Sequence, residues 1–256
     1  MIDFDRHPNS PYATITIEST GTEYDTRDLG LLLSGVDISD PEARRHQISV
    51  PGRDGALDFT EALGGIYFEN REIVLTLVGN AISSERFRLA CSTLRNALDG
   101  RLCRLVLSDD LGYYWRGRPQ VDVEPIGRHH LKATVTFDAY PYKLNTVSSY
   151  EAWKWDSFSF VDGVITQAAD ITLVNGETKT VTLPRDPARQ KVTLWLNTGQ
   201  SGSVRARTSR EAVGAYHLLR AGANRFPEIR MAADAETTLY PTGTGSVGVE
   251  YRIGSL

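Results

Sequence analysis

Three glutamates, Glu61, Glu69 and Glu72, are the first residues of this chain to suggest hydrolytic chemistry. Glycoside hydrolysis needs two carboxylates at a controlled separation. Glu69 and Glu72 are an odd number of positions apart, so on one strand they point to opposite sides and read as surface charges. His129-His130 offers two imidazoles, but adjacent strand residues diverge and zinc wants several convergent ligands. A turn or strand-start position is the reading there. Thr242-Gly243-Thr244-Gly245 superficially resembles a glycine-rich phosphate loop. That chemistry needs a strand before it and a helix after it; here a strand follows, so a turn is expected. Five scattered histidines give no Ser/His/Asp order. Trp153, Trp155, Trp195 and Tyr216 could form a sugar-stacking platform on a sandwich face, but aromatics in β domains mostly fill cores, and core packing is the favoured reading. Trp195 falls on the face opposite Val192, Leu194 and Leu196, so it is outward or in a second core. No catalytic residue, cofactor or metal ligand is assigned, and the chain reads as a non-enzyme.

The elements that must position these residues are mostly strands. Ile15 and Ile17 alternate with Thr14, Thr16 and Glu18, and Ile73, Leu75 and Leu77 share one face. Leu131, Ala133, Val135, Phe137 and Ala139 alternate with polar partners, as do Val247, Val249, Tyr251 and Ile253. Period-2 patterns of this kind mark half-buried strands of antiparallel sheets. One segment, residues 84–99, reads as a helix: Phe87, Cys91, Leu94 and Leu98 fall on one stripe. Ser83 or Ser84 can cap its start, Glu85 suits its first turn, and Gly100 sits where helices end in a left-handed residue.

Turn signals punctuate the strands. Pro51-Gly52-Arg53-Asp54-Gly55 is a tight loop, and Asp109-Asp110-Leu111-Gly112 reads as the turn of a hairpin. Asn175-Gly176, between residues 171–174 and 180–183, is a hairpin signal. After Tyr140-Pro141-Tyr142-Lys143 the alternation breaks, so two domains are expected, 1–147 and 148–256.

Composition narrows the function. Of 256 residues 41% are apolar and 23% charged, which suits a folded chain with real cores. A net charge of −4 argues against a general nucleic-acid binder, which needs a basic surface to displace counterions. Cys91 and Cys103 fall on the apolar faces of the helix and of a strand, so two buried reduced thiols are expected. No apolar run approaches the roughly 20 residues of a membrane span. The start Met1-Ile2-Asp3-Phe4-Asp5 lacks the basic and apolar regions of a signal peptide, so synthesis and folding in a cytoplasm are expected.

The order of segments resembles the distal tail protein family of bacteriophages with long non-contractile tails. The likeness rests on 51–58, on Tyr67-Phe68-Glu69-Asn70-Arg71-Glu72-Ile73-Val74-Leu75, and on the helix with the strand and hairpin of 102–123. Phe137-Asp138-Ala139-Tyr140-Pro141-Tyr142-Lys143, Leu219-Arg220-Ala221-Gly222-Ala223-Asn224-Arg225-Phe226 and the final strand complete it. Residues 148–212 match only in β character. The resemblance implies an N-terminal β-barrel- or sandwich-like domain with one packed helix that builds a ring. It further implies a C-terminal galectin-like (jelly-roll) β-sandwich that projects outward. It implies a homo-hexamer at the tail tip of the virion, made in the host bacterial cytoplasm. That ring would stack on tail-tube protein on one side and on the tail-associated hub or fibre protein on the other, and in some phages it carries receptor-binding proteins. Gly64, Gly65, Ile66, Tyr67 and Phe68 form a candidate ring interface, with an ordinary hairpin packed on its own core as the competing reading. The alternative function is a carbohydrate-binding module that recognises the host surface.

Overall fold

The computed structural model describes residues 10–62, 65–79, 83–126, 130–149, 170–174, 177–197, 199–208 and 213–256. The chain is mostly β and divides into two compact units, Met1–Lys143 and Leu144–Leu256.

The first unit contains β1 (Ala13–Ile17), β2 (Glu23–Asp25), β3 (Leu31–Ile38), β4 (Gln47–Ser49), β5 (Ala56–Asp58), β6 (Arg71–Gly79), α1 (Ser84–Leu98), β7 (Cys103–Leu107), β8 (Tyr113–Ile126) and β9 (His130–Ala139). Its main sheet runs β2-β1-β7-β8-β9-β6-β3, with antiparallel neighbours throughout. The two end strands, β2 and β3, are consecutive in the chain and joined by a turn in which Leu31 N–H donates to Thr26 O. The sheet therefore curls back toward itself as a barrel. Its interior is the alternating set read from the sequence: Ile15, Ile73, Leu75, Leu77, Val135 and Phe137 are all fully buried. Each large aliphatic so buried contributes roughly 1.5–3 kcal/mol.

Helix α1 lays Phe87, Cys91, Leu94 and Leu98 on this core. Ser83 caps its start, accepting from Arg86 N–H, and Gly100 follows its end at φ +70°. Two side chains at its C-terminal end grip one residue of β8: Arg95 Nε donates to Val121 O at 2.8 Å, and Val121 N–H donates to Oδ1 of the C-cap Asp99 at 2.8 Å. At Gly117 in β8 the neighbouring strand comes so close that a Cβ would stand 2.5 Å from Asp138 O. Cys91 and Cys103 are buried and free, and burial pushes both thiols up to about 11.

The second unit contains β10 (Lys143–Asn145), β11 (Asp170–Leu173), β12 (Val181–Leu183), β13 (Lys191–Leu196), β14 (Ser201–Thr208), β15 (His217–Leu219), β16 (Gly222–Arg230), β17 (Thr237–Glu250) and β18 (Gly254–Ser255). It is a β-sandwich whose two sheets share one strand. The first half of β17 pairs with β12 and β14, and β14 pairs with β15. The second half of β17 pairs with β11 and β13, and β13 pairs with β16. Leu183, Val204 and Leu239 from one sheet meet Leu194, Val247 and Val249 from the other in a single core.

Two turn expectations are corrected here. Thr242-Gly243-Thr244-Gly245 is no turn but the middle of β17, where the strand passes from one sheet to the other. Gly243 at φ +147° and Gly245 at φ +105° bend the strand without reversing it, and a Cβ on Gly243 would collide with Ser201 O. Nor do the strands flanking Asn175-Gly176 form a hairpin. β11 and β12 run onward in one direction, both antiparallel to β17. Between the pairs Leu173↔Gly245 and Thr178↔Thr242, five residues of one strand span three of the other, a register shift that falls where β17 changes sheets. Residues 175 and 176 themselves lie outside the described residues.

A buried carboxylate closes the unit. Asp186 is fully buried and accepts from the backbone N–H groups of Ala188 (3.2 Å), Gln190 (2.6 Å) and Gly254 (2.8 Å). Burial pushes its pKa above the ordinary carboxylate value, against the pull of those three donors.

Candidate functional site

Between β3 and β6 the first unit sends out an arm, residues 39–70. Its base is an antiparallel ladder: Ala43 bridges Phe68, Arg44 N–H donates to Tyr67 O, and Glu69 N–H donates to Glu42 O. Farther out, β4 and β5 pair as a two-stranded sheet separate from the barrel. Its tip is the loop 50–55, where Gly52 and Gly55 take φ of +81° and +74°. Asp58 fixes the return, accepting from Thr60 N–H and Gln47 Nε2. Hydrogen bonding from Thr60 holds that carboxyl below its ordinary value.

None of the arm's described residues enters the barrel core. Yet it is rich in large apolar side chains turned to the surface: Ile48, Val50, Phe59, Ile66 and Tyr67, with Val36 and Ile38 of β3 continuing the patch. One face carries a cleft of about 740 Å³ lined by Arg44, His46, Ile48, Phe59, Ala62 and Tyr67. A second cleft of about 570 Å³ is lined by Arg45, Gln47, Asp58, Glu61 and Ile66. The Arg44–Glu69 ion pair at 2.9 Å is more than half exposed on both sides, so it contributes little to stability.

The residues singled out as a ring interface fall at the arm's return. Gly65 sits at φ +137°, Ile66 and Tyr67 are exposed at 43% and 37%, and Phe68 is half-buried, edge-on to Tyr142 at 6.1 Å. Gly64 lies outside the described residues. The segment is thus divided, with Phe68 packed on its own unit and Ile66 and Tyr67 presented outward. Ile48, Val50 and Phe59 escaped sequence reasoning. Their alternation marks strands but carries no sign that both strand faces are exposed.

Arg71 opens β6 where the arm rejoins the barrel. It points inward and is only 7% exposed. Its guanidinium stacks on the Trp115 ring, 4.7 Å from the centroid. Its Nε is buried with no hydrogen-bond partner among the described residues.

Of the sugar-stacking candidates, Trp153 and Trp155 lie outside the described residues. Trp195 points outward from β13, 37% exposed, with Ala223 and Gly248 beside it on the neighbouring strands. Its indole N–H donates to Glu250 Oε2 at 2.7 Å, and next along the same face Arg225 Nε donates to Thr193 Oγ1 at 2.9 Å. Tyr216 belongs to the other sheet, just before β15, with the Arg205 guanidinium 4.2 Å from its ring centroid. The two aromatics therefore do not share a platform. Of the glutamates, Glu72 faces outward from β6 and Glu69 pairs with Arg44. Among the described residues, no group of three or more His, Cys, Asp or Glu is placed to hold a metal ion. Among them, too, no helix is long and apolar enough to cross a membrane.

Residues 19–139, which hold the helix, the arm and every strand of the barrel but β1, match the family described as the phage tail protein RIFT-related domain. Over these residues the first unit is similar to a phage tail domain. Over the whole chain, the tail domain and the sandwich together are similar to the Dit protein of phage SPP1. The TM-score is 0.53 at 12% identity, covering 95% of this chain and 99% of that one. That protein is described as a paradigm of the hub adsorption apparatus in phages infecting Gram-positive bacteria. At this identity the likeness is one of fold: a tail domain followed by a β-sandwich, as in a siphophage distal tail protein. A chain of the phage P2 baseplate, solved in its activated conformation with Ca, also matches, with a TM-score of 0.46 at 8% identity over 96% of this chain and 98% of that one. No curated protein sequence matches.

Proposed function

We propose that this chain is a structural subunit of a phage tail tip. It assembles as a hexameric ring that joins the tail tube to the tail-associated hub and host-adsorption proteins. The tail domain forms the ring and the sandwich is its outer decoration. The observation that carries this reading is the arm: a segment of a tail domain that holds five large apolar side chains away from its own core. A two-stranded sheet alone is marginally stable in water, and an exposed apolar patch of this kind marks a contact surface. A head-to-tail contact whose rotation closes yields a ring. The ring would reside at the tail tip of the virion, its subunits made in the host cytoplasm. Native mass spectrometry and electron microscopy of the purified protein test this directly. Six-subunit rings are the expected result, alone or with tail-tube protein. A chain that stays monomeric at high concentration and in the presence of tail-tube protein would overturn it.

A second reading, saccharide binding by the sandwich, is favoured by Trp195. An outward indole fixed by Glu250 between two small neighbours is a surface on which a sugar ring can stack. Binding to host envelope polysaccharide that disappears in Trp195→Ala would support it; no binding by the wild-type chain removes it.

A further inference from the structure

Arg71 is the least comfortable charge in the first unit. It lies on the inward-facing row of β6 with Ile73, Leu75 and Leu77, and it is 7% exposed. A guanidinium has five N–H donors and no acceptor, so it needs oxygens around it. Here Nε is buried without a hydrogen-bond partner, and among the described residues no carboxylate forms an ion pair with it. Burial lowers its pKa from the ordinary value, and the only charge that offsets this is that of Asp40. The guanidinium carbon lies over the Trp115 ring, which supplies a cation–π contact but no hydrogen-bond acceptor in the ring plane. Nε is left with a donor that no described group accepts. The edge is the part of arginine that fits a planar carboxylate through two parallel hydrogen bonds.

A largely buried guanidinium whose Nε has no acceptor weakens the isolated chain, and replacing a buried charge with an apolar side chain of similar volume is often neutral or favourable. A residue that works against its own fold in this way is explained by a partner that arrives later. The position says where from. Arg71 stands at the foot of the arm, three residues after Phe68, so it adjoins the surface on which self-assembly is proposed.

We propose that Arg71 receives a carboxylate side chain from a second copy of this chain, forming a buried intersubunit ion pair on assembly. This rests on the ring reading above. Trp115 holds the guanidinium in place, and the incoming carboxylate accepts from its N–H groups. The pair is specific to the assembled state, because among the described residues of one chain no carboxylate forms an ion pair with Arg71.

The test compares wild type, Arg71→Met and Arg71→Lys by two measurements: thermal unfolding of dilute monomer, and the concentration dependence of assembly. Arg71→Met is expected to leave the monomer as stable as wild type or more so, while weakening self-association at least about tenfold. Arg71→Lys, which keeps the charge but loses the fork, is expected to fall between. A purely structural arginine would behave the opposite way, lowering monomer stability and leaving assembly of the folded fraction unchanged; that result overturns the proposal. A cryo-electron microscopy map of the wild-type ring provides a measurement independent of any variant's folding. A neighbour's Asp or Glu side chain at hydrogen-bond distance from Arg71 is expected, and water or own-chain groups alone would refute the pairing. Rings that form equally well with Arg71→Met reject the ion pair and leave the ring reading standing. Failure of wild type to assemble rejects both.

Discussion

Removing the Asp186 side chain should unfasten the C-terminal end of the sandwich, and the size of the effect follows from its three hydrogen bonds. In Asp186→Ala the N–H groups of Ala188, Gln190 and Gly254 lose their acceptor together. Gly254 is buried, so its orphaned N–H costs about 1–3 kcal/mol. Ala188 and Gln190 sit on a half-buried loop that water can reach, so each loses nearer the net value of about 0.5–1.5 kcal/mol. Against this stands the relief of a desolvated carboxylate, which brings the expected loss to about 2–4 kcal/mol. Asp186→Asn keeps one oxygen for Ala188 and Gly254 but turns an amide N–H₂ toward Gln190, so a loss of about 1 kcal/mol is expected. Because burial raises the pKa of Asp186, the native state binds the proton more tightly than the unfolded chain. Its contribution is therefore greatest below the ordinary value of 3.8 and declines as pH rises through the raised native value. Wild type should lose ground to Asp186→Asn across that window and run parallel to it above. Amide hydrogen exchange at Gly254 and Gln190, with urea titrations at several pH values, reads both effects. The reasoning is refuted if Asp186→Ala exchanges within about 0.5 kcal/mol of wild type. A wild-type advantage that grows with pH would refute it equally.

Three further outcomes are expected. Burial raises the pKa of Glu18, but hydrogen bonds and charge from Arg116, then Arg104, outweigh it and leave a net lowering. The stability from this group is thus present above the ordinary value of 4.5 and lost as pH falls through the depressed native one. Glu18→Gln should cost about 1–2 kcal/mol at neutral pH and nothing in acid, as melting curves across pH would record. Gly117→Ala forces a methyl against the backbone of residue 138 and should cost about 2–3 kcal/mol or prevent folding, seen in urea titration of the purified variant. Ile48→Ser with Phe59→Ser removes exposed apolar surface and nothing from the core, so monomer melting should hold within a degree or two while sedimentation shows weakened assembly.

The barrel was legible in the sequence because its strands are one-sided. Residues 131–139 alternate so regularly that the buried set of β9, from Ala133 to Ala139, follows from the pattern. Helix α1 was legible for the same reason, its four-residue stripe bounded by Ser83 and Gly100. The sandwich was less so where local turn chemistry and long-range pairing compete. Asn-Gly favours a two-residue hairpin, but β11 and β12 each find a longer partner in β17, and tertiary pairing overrides the turn preference. Gly243 and Gly245 look identical in sequence whether they reverse a chain or bend it between sheets. The candidate site was legible only at its return, 65–68. Whether Ile48 and Phe59 face a core or the surface depends on what the barrel leaves uncovered, and that is a property of the assembled sheet. Arg71 in turn reads as an ordinary polar strand start until its neighbours Trp115 and Ala139 are known.

The arm and Arg71 point to the same physical bias. No described residue from 34 to 70 belongs to the barrel core, so this stretch adds little to the stability of the isolated domain. It orders a long excursion, which costs conformational entropy of about 1–2 kcal/mol per fixed backbone residue. It also leaves apolar side chains in water. Arg71, at the foot of the excursion, keeps a desolvated charge without an ion-pair partner among the described residues. A sequence optimised for the monomer would shorten the excursion between β3 and β6 and place an aliphatic residue at 71. Each departure reverses sign once a second chain covers the arm: the apolar surface becomes buried area, the hairpin edges gain partners, and the guanidinium meets an acceptor. Deleting residues 45–60 and joining the ladder at its base is therefore expected to leave a folded, more soluble monomer with the barrel intact. The same deletion should abolish rings under every condition that produces them from wild type. A deletion variant that still forms rings would place the contact elsewhere on the tail domain.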